Sequence, residues 1–128
     1  MNMAVQTARS DDEQLEDMIQ LKGKTAARVT PADIEAAIVS EEYFTAAHGA
    51  EQVRGLEGRQ DAVPDPLRLL TFCVLVLRNG FTVTGESACA SPENFDAEIG
   101  RKIARDNAKN KIWLLEGYLL KQRLHESA

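Results

Sequence analysis

Apolar and polar positions along the chain predict two helical segments, a loop, a β-hairpin and a long helix. The first segment begins with a capping-box motif at Ser10–Glu13. An apolar stripe of Leu15, Met18 and Ile19 follows at helical spacing and ends near Lys22–Gly23. We therefore predict a short helix in this part of the chain.

The second helical segment starts at Thr30–Asp33, where threonine takes the N-cap position and proline the first helical position. Apolar residues from Ile34 to Phe44 then repeat along one helical face, which predicts a helix over Thr30–Phe44. The stretch from His48 to Pro66 is rich in glycine and proline and shows no periodicity. We predict a long functional or mobile loop there.

The strongest short-range signal is the Asn79–Gly80 pair, which lies between two runs of β-forming residues and predicts a hairpin over about 69–88. A two-residue turn at this pair places Cys73 opposite Glu86. In that register, Thr82 and Thr84 share a face with the leucines of the first strand. Cys89 is not opposite Cys73, so we expect two reduced cysteines rather than a disulfide.

The first strand of this hairpin, Phe72–Leu77, is apolar on both faces. A strand of this kind needs cover on both sides, and an isolated hairpin is marginally stable in water. The long helix can cover one face, and either the second helix or another copy of the chain can cover the other. We therefore expect a homo-oligomer, a dimer or a tetramer.

The long helix is predicted over about 92–124, with its start marked by Ser91–Glu93. Gly117 leaves open a kink or an earlier end. One face of this helix carries small residues, which let another backbone approach closely, either the hairpin at Gly85 or a second copy. These small residues are Ala97, Gly100, Ala104 and Ala108.

These elements predict the α+β class: N-terminal helices, one β-hairpin (about 69–88) and a long C-terminal helix (about 92–124), assembled as a homo-oligomer. We assign residues 28–124 to a single domain. Residues 1–27 form a variable N-terminal segment with the short helix, and residues 125–128 form a tail.

Composition narrows the function. The chain has 128 residues and a formal net charge of −5, which argues against coating of DNA or RNA polymers. It has neither a secretory signal nor an apolar run of membrane-spanning length. The sequence also lacks a P-loop, a nucleophile elbow and zinc-ligand spacing. We therefore expect a cytoplasmic protein that is not an enzyme and needs no cofactor or metal.

Candidate ligand-binding residues lie on the long helix and on the second strand of the hairpin. Arginine can hold a phosphate bidentately, and asparagine within an apolar stripe requires a partner or a ligand. The alternatives are a solvated helix face and ordinary strand hydroxyls. The candidates are Arg101, Lys102, Arg105, Asn107, Asn110, Thr82, Thr84 and Ser87.

Three blocks of the sequence, over roughly Arg28–Leu120, resemble one family. They are RVTPADIEAAIVSEEYF, LTFCVLVLRNGFTVTGESACASPENFDAEIGRKIARDNA and KIWLLEGYLL. The chain is similar to the small tailed-phage and prophage proteins typified by coliphage N-four gp-forty-nine and Shigella phage gene-sixty-six. The family often has proline after the tryptophan, where this chain has Leu114, so we expect an unbroken helix through Trp113–Leu115.

This resemblance implies a phage-encoded accessory protein that acts in the cytoplasm of the infected bacterium. It further suggests counter-defence by sequestration: binding a small phosphorylated immune signal, such as a cyclic dinucleotide, without cleaving it (an anti-CBASS sponge). The alternative is an accessory protein that binds a host or phage protein through the hairpin and the glutamate-rich helix.

Overall fold

The computed structural model describes residues 11–128 and confirms the α+β class. Four helices accompany one antiparallel sheet with strand order β1-β2-β3. The Ser10 half of the predicted capping box lies outside the described residues. In chain order the elements are α1 (Asp11–Leu21), α2 (Pro31–Ala37), β1 (Ile38–Thr45), α3 (Ala46–Leu56), β2 (Leu70–Leu77), β3 (Thr82–Ala88) and α4 (Ala97–Ser127).

The predicted helix over Thr30–Phe44 is correct only in its first half. Its start is confirmed, because the Thr30 hydroxyl accepts from the Asp33 N–H and the Asp33 carboxylate accepts from the Thr30 N–H. The helix ends at Ala37, and β1 follows and pairs with β2. The β-branched and aromatic residues of β1 suit a strand, and the free edge of β2 supplies the backbone hydrogen bonds. The sheet therefore has three strands where the sequence predicted two.

The hairpin is confirmed, but its predicted register is wrong by one residue. Cys73 lies opposite Gly85 and not Glu86. The turn has three residues: Gly80 N–H donates to the Leu77 carbonyl, and Leu77 N–H donates to the Phe81 carbonyl. Only Gly80 has a positive φ, 88°, whereas a two-residue type I′ turn needs positive φ at Asn79 as well. A slip of one residue exchanges the two faces of β3, so Thr82 and Thr84 are exposed and are not among the residues buried against α4.

The core lies between the sheet and α4. Alternate residues of β2, among them Cys73 and Leu75, are fully buried, and so are Ala104, Ala108 and Ile112 of α4. The expected close approach occurs at Gly85, where an added Cβ would lie 2.2 Å from the Ala108 nitrogen and 2.3 Å from the Ala104 carbonyl oxygen. The small-residue face of the long helix therefore packs directly on the backbone of β3.

The predicted loop over His48–Pro66 is wrong in its first half, because α3 occupies Ala46–Leu56. A capping box at Thr45 and His48 begins this helix. It ends in a Schellman motif, in which Gly58 (φ 69°) donates to the Gly55 carbonyl and Arg59 donates to the Arg54 carbonyl. Two glycines inside α3 obscured its periodicity in the sequence.

The long helix begins later and ends later than predicted. Ser91 precedes a short 3₁₀ turn, and the true N-cap of α4 is Asp96, whose carboxylate accepts from the Ile99 N–H at 3.0 Å. The helix passes through Gly117 without interruption to Ser127. The expected continuity through Trp113–Leu115 is confirmed.

Candidate functional site

A cleft of about 360 Å³ opens where β1, the start of β2 and the first turns of α4 meet. Among the described residues, its lining contains aromatic rings, hydroxyls, an imidazole and two guanidinium groups, and no carboxylate. The lining residues are Tyr43, Phe44, Thr45, His48, Arg68, Thr71, Phe95, Ala97 and Arg101.

Thr71 is the least satisfied polar residue of the cleft. The residue is only 3% exposed, and Oγ1 has no hydrogen-bond partner among residues 11–128. A buried hydroxyl without a partner costs about 1–3 kcal/mol. The small size of Gly100 leaves room here, since an added Cβ would lie 3.1 Å from Thr71 Oγ1. The cleft therefore has an unsatisfied hydrogen-bonding group directly behind its wall, and a small shift of the Thr71 side chain would expose it to a ligand.

The cations of the cleft differ in how far their charge is already neutralised. Arg68 pairs with Glu51 at 3.0 Å and lies 3.7 Å from Asp65. The side chain of Arg101 has neither an ion pair nor a hydrogen bond to any residue from 11 to 128. Because a free guanidinium can form a bidentate contact with phosphate, Arg101 is the strongest anion-binding group of the cleft.

His48 contributes a hydrogen-bond donor to the cleft. Its Nδ1 accepts the Thr45 N–H at 3.0 Å as part of the capping box of α3. The neutral imidazole therefore carries its proton on Nε2, which is free to donate. In this position the ring can bind an acceptor atom of a ligand, but its single lone pair is occupied.

Arg105, the central residue of the predicted cluster, is held in an ion-pair network. Its guanidinium donates to Glu35 at 2.8 Å and to Glu41 at 2.9 Å, and Lys109 donates to Glu35 at 3.1 Å. The hydrogen bond from Arg105 lowers the pKa of Glu35 to about 2, and also lowers the pKa of Glu41. This network fastens α4 to α2 and β1, so Arg105 has a structural role.

The other predicted residues do not form one site. Asn107 donates to the Glu86 carbonyl at 2.8 Å and so links α4 to β3. Lys102 is exposed beside Arg101. Ser87 is buried on the α4 side of β3. Three others share a separate shallow groove of about 620 Å³ with Lys111: Thr82, Thr84 and Asn110.

Of the predicted residues, only Arg101 therefore lines the cleft. Sequence reasoning missed Thr71, His48 and Phe95 as site residues. His48 lies on α3, which the sequence did not predict, whereas Thr71 lies on β2, within the predicted hairpin. A signal for His48 was present, since Thr45 and His48 have the spacing of a reciprocal cap.

The fold and the cleft together define a small α+β protein with one candidate site for an anionic ligand. A family model described as "Phage protein (N4 Gp49/phage Sf6 gene 66) family" matches residues 29–124. The chain belongs to this phage protein family, as the sequence resemblance implied. Neither the curated proteins nor the solved structures gave a match. In the described part of the chain, no helix is long and apolar enough to span a membrane.

Proposed function

We propose that this phage protein is a counter-defence protein that binds and sequesters a cyclic nucleotide immune signal without cleaving it. The observation that carries the proposal is the presence, in one cleft, of two groups that find no partner within the described residues 11–128: the buried hydroxyl of Thr71 and the guanidinium of Arg101. In the free protein, the buried hydroxyl of Thr71 costs free energy, and the charge of Arg101 gains no attraction from an ion pair. A ligand that combines phosphate with hydrogen-bonding groups would satisfy both.

The remaining lining supports a nucleotide over a simple anion. Phe44 and Phe95 offer ring faces, and stacking on a base contributes about 1–3 kcal/mol. The cleft volume of about 360 Å³ falls within the roughly 300–1,000 Å³ typical of small-molecule sites. His48 fits a binding role, because its Nδ1 already accepts the Thr45 N–H within the capping box of α3.

The proposal is tested by calorimetry and thermal shift with cyclic mono-, di- and trinucleotides, followed by chromatography of the ligand released on denaturation. We expect saturable binding to at least one of them and recovery of the intact nucleotide. Absence of binding across the whole set, or recovery of a cleaved product, would overturn the proposal. Capture of one stoichiometric protein partner without nucleotide would favour the alternative of protein binding through the hairpin.

Two variants locate the site. Arg101→Ala should weaken binding roughly 10- to 100-fold, the cost of about 1–3 kcal/mol for a lost charged hydrogen bond. Lys102→Ala is the matched control, because Lys102 is an exposed neighbour outside the cleft lining. Thr71→Val should weaken binding while leaving the free protein as stable or more stable, since it removes an unsatisfied hydroxyl. Equal affinities for the Arg101 and Lys102 variants would place the site elsewhere.

A further inference from the structure

The last part of α4 projects beyond the core. The final fully buried residue of the helix is Ile112, and the helix continues to Ser127. At 1.5 Å per residue, this second half extends about 22 Å. Leucines and a tyrosine occur on several sides of it, a composition typical of helices that are covered by another element.

The exposed apolar side chains of this half adjoin the tip of the hairpin. Leu114 is 79% exposed, Tyr118 75% and Phe81 56%. Two grooves, of about 470 and 620 Å³, meet here, and Phe81 and Leu115 line both. We call this surface the terminal patch: Phe81, Leu114, Leu115, Tyr118 and Leu119.

We propose that the terminal patch is the interface between two copies of this chain, which pack through antiparallel α4 helices. The charge distribution favours a second copy as the occupant. The chain as a whole carries −5, which opposes self-association, whereas the projecting half has two acids, Glu116 and Glu126, balanced by Lys121 and Arg123. Like chains can therefore approach at this half without net repulsion.

An antiparallel pair gives this half a self-complementary register. When the two-fold axis passes between Tyr118 and Leu119, each Tyr118 lies against Leu119 of the second copy. The same register places Lys111 of one copy opposite Glu126 of the other. Lys111 has no ion-pair partner among residues 11–128, so this pairing would supply one.

The terminal patch supplies the larger part of the area that a dimer requires. Its five side chains expose on the order of 500 Å² per copy, and a standard interface buries roughly 800 Å² from each partner. The aliphatic stems of neighbouring charged residues, such as Arg123, can supply most of the difference.

The test is sedimentation equilibrium and light scattering of the full chain over a concentration series. The wild-type protein should approach twice the 14.1 kDa of one chain. Leu114→Glu combined with Tyr118→Glu should give the monomer mass while retaining native circular dichroism. The matched control is Leu56→Glu, because Leu56 is equally exposed but lies on α3, away from the terminal patch.

A charge exchange tests the register itself. Lys111→Glu alone should weaken association several-fold, and adding Glu126→Lys should restore it. A wild-type protein that stays monomeric at every concentration would overturn the proposal, and so would a dimer that persists in the double glutamate variant. Dissociation caused equally by Leu56→Glu, or failure of the charge exchange to restore association, would contradict the antiparallel arrangement.

Discussion

The two halves of α4 differ in the size and the exposure of their side chains. The first half packs against the sheet with Gly100, Ala104 and Ala108, and these small residues are fully or almost fully buried. The second half carries large apolar residues, Leu114 and Tyr118, and leaves them largely exposed. Within this continuous helix, the residues buried against the sheet are mostly small, and the exposed apolar residues are large.

The difference follows from the distance of each half from its neighbour. At Gly85 the backbones of β3 and α4 are so close that there is no room for a Cβ, and only small residues fit on the facing helix surface. Beyond Ile112, no residue of α4 is fully buried among the described residues, so the size of the side chains is less restricted there. Small residues therefore occur where α4 packs against β3, and large exposed residues occur where α4 leaves apolar surface uncovered.

The largest expected effect on stability comes from adding a Cβ at Gly85, where the backbones of β3 and α4 are in close contact. Gly85→Ala would place a Cβ 2.2 Å from a backbone nitrogen of α4, and neither element can move without disturbing the core. We expect a loss of about 4 kcal/mol in the free energy of unfolding, measured by urea denaturation.

The control for this substitution is Gly49→Ala in α3. An added Cβ at Gly49 meets nothing within 4 Å, so higher helix propensity should raise the free energy of unfolding by about 0.5–1 kcal/mol. A Gly85→Ala protein as stable as the wild type would show that the two backbones are farther apart than the structure places them.

Local signals predicted the parts of the fold that depend on neighbouring residues. The Thr30 cap, the hairpin and the small-residue face of α4 all come from residues close together in the chain. The second half of the helix predicted over Thr30–Phe44 is wrong because its conformation depends on β2, about 30 residues later in the chain. Pairing with the free edge of β2 makes this segment a strand. The hairpin register failed because an Asn–Gly pair fits both two- and three-residue turns, and burial against α4 selects between them.

The candidate site was less predictable for the same reason. Charge clustering identified Arg101, but it could not show that Arg105, one turn away, would be occupied by Glu35 and Glu41. Those acids come from α2 and β1, which are about 65–70 residues distant in sequence. Thr71 gave no signal at all, since a threonine in an apolar strand is an ordinary β-former.

A second pair of substitutions compares the halves of α4 directly. Ile112→Ala removes a fully buried side chain and should cost about 3 kcal/mol in the free energy of unfolding. Leu114→Ala, two residues later, should change it by less than about 0.5 kcal/mol at dilutions where the chain is monomeric. Urea denaturation of both variants under these dilute conditions makes the comparison. Equal losses would mean that the second half is as tightly packed within one chain as the first.

The smallest expected effect concerns the ion pairs of Arg105 and Lys109, which join the first half of α4 to α2 and β1. The pKa of Glu35 is lowered from 4.5 to about 2 by the hydrogen bond from Arg105. Because the folded state has the lower pKa, the stabilisation is fully present above about pH 4.5 and is lost as the pH falls toward 2. Glu35→Gln should therefore cost about 1 kcal/mol near pH 7, a modest value because half of the side chain faces solvent, and the gap from wild type should close in acid. Glu42→Gln on the exposed side of β1 is the control, and urea denaturation across this pH range is the measurement. A gap that persists at pH 2 would mean that Glu35 stabilises the fold by packing and not by its charge.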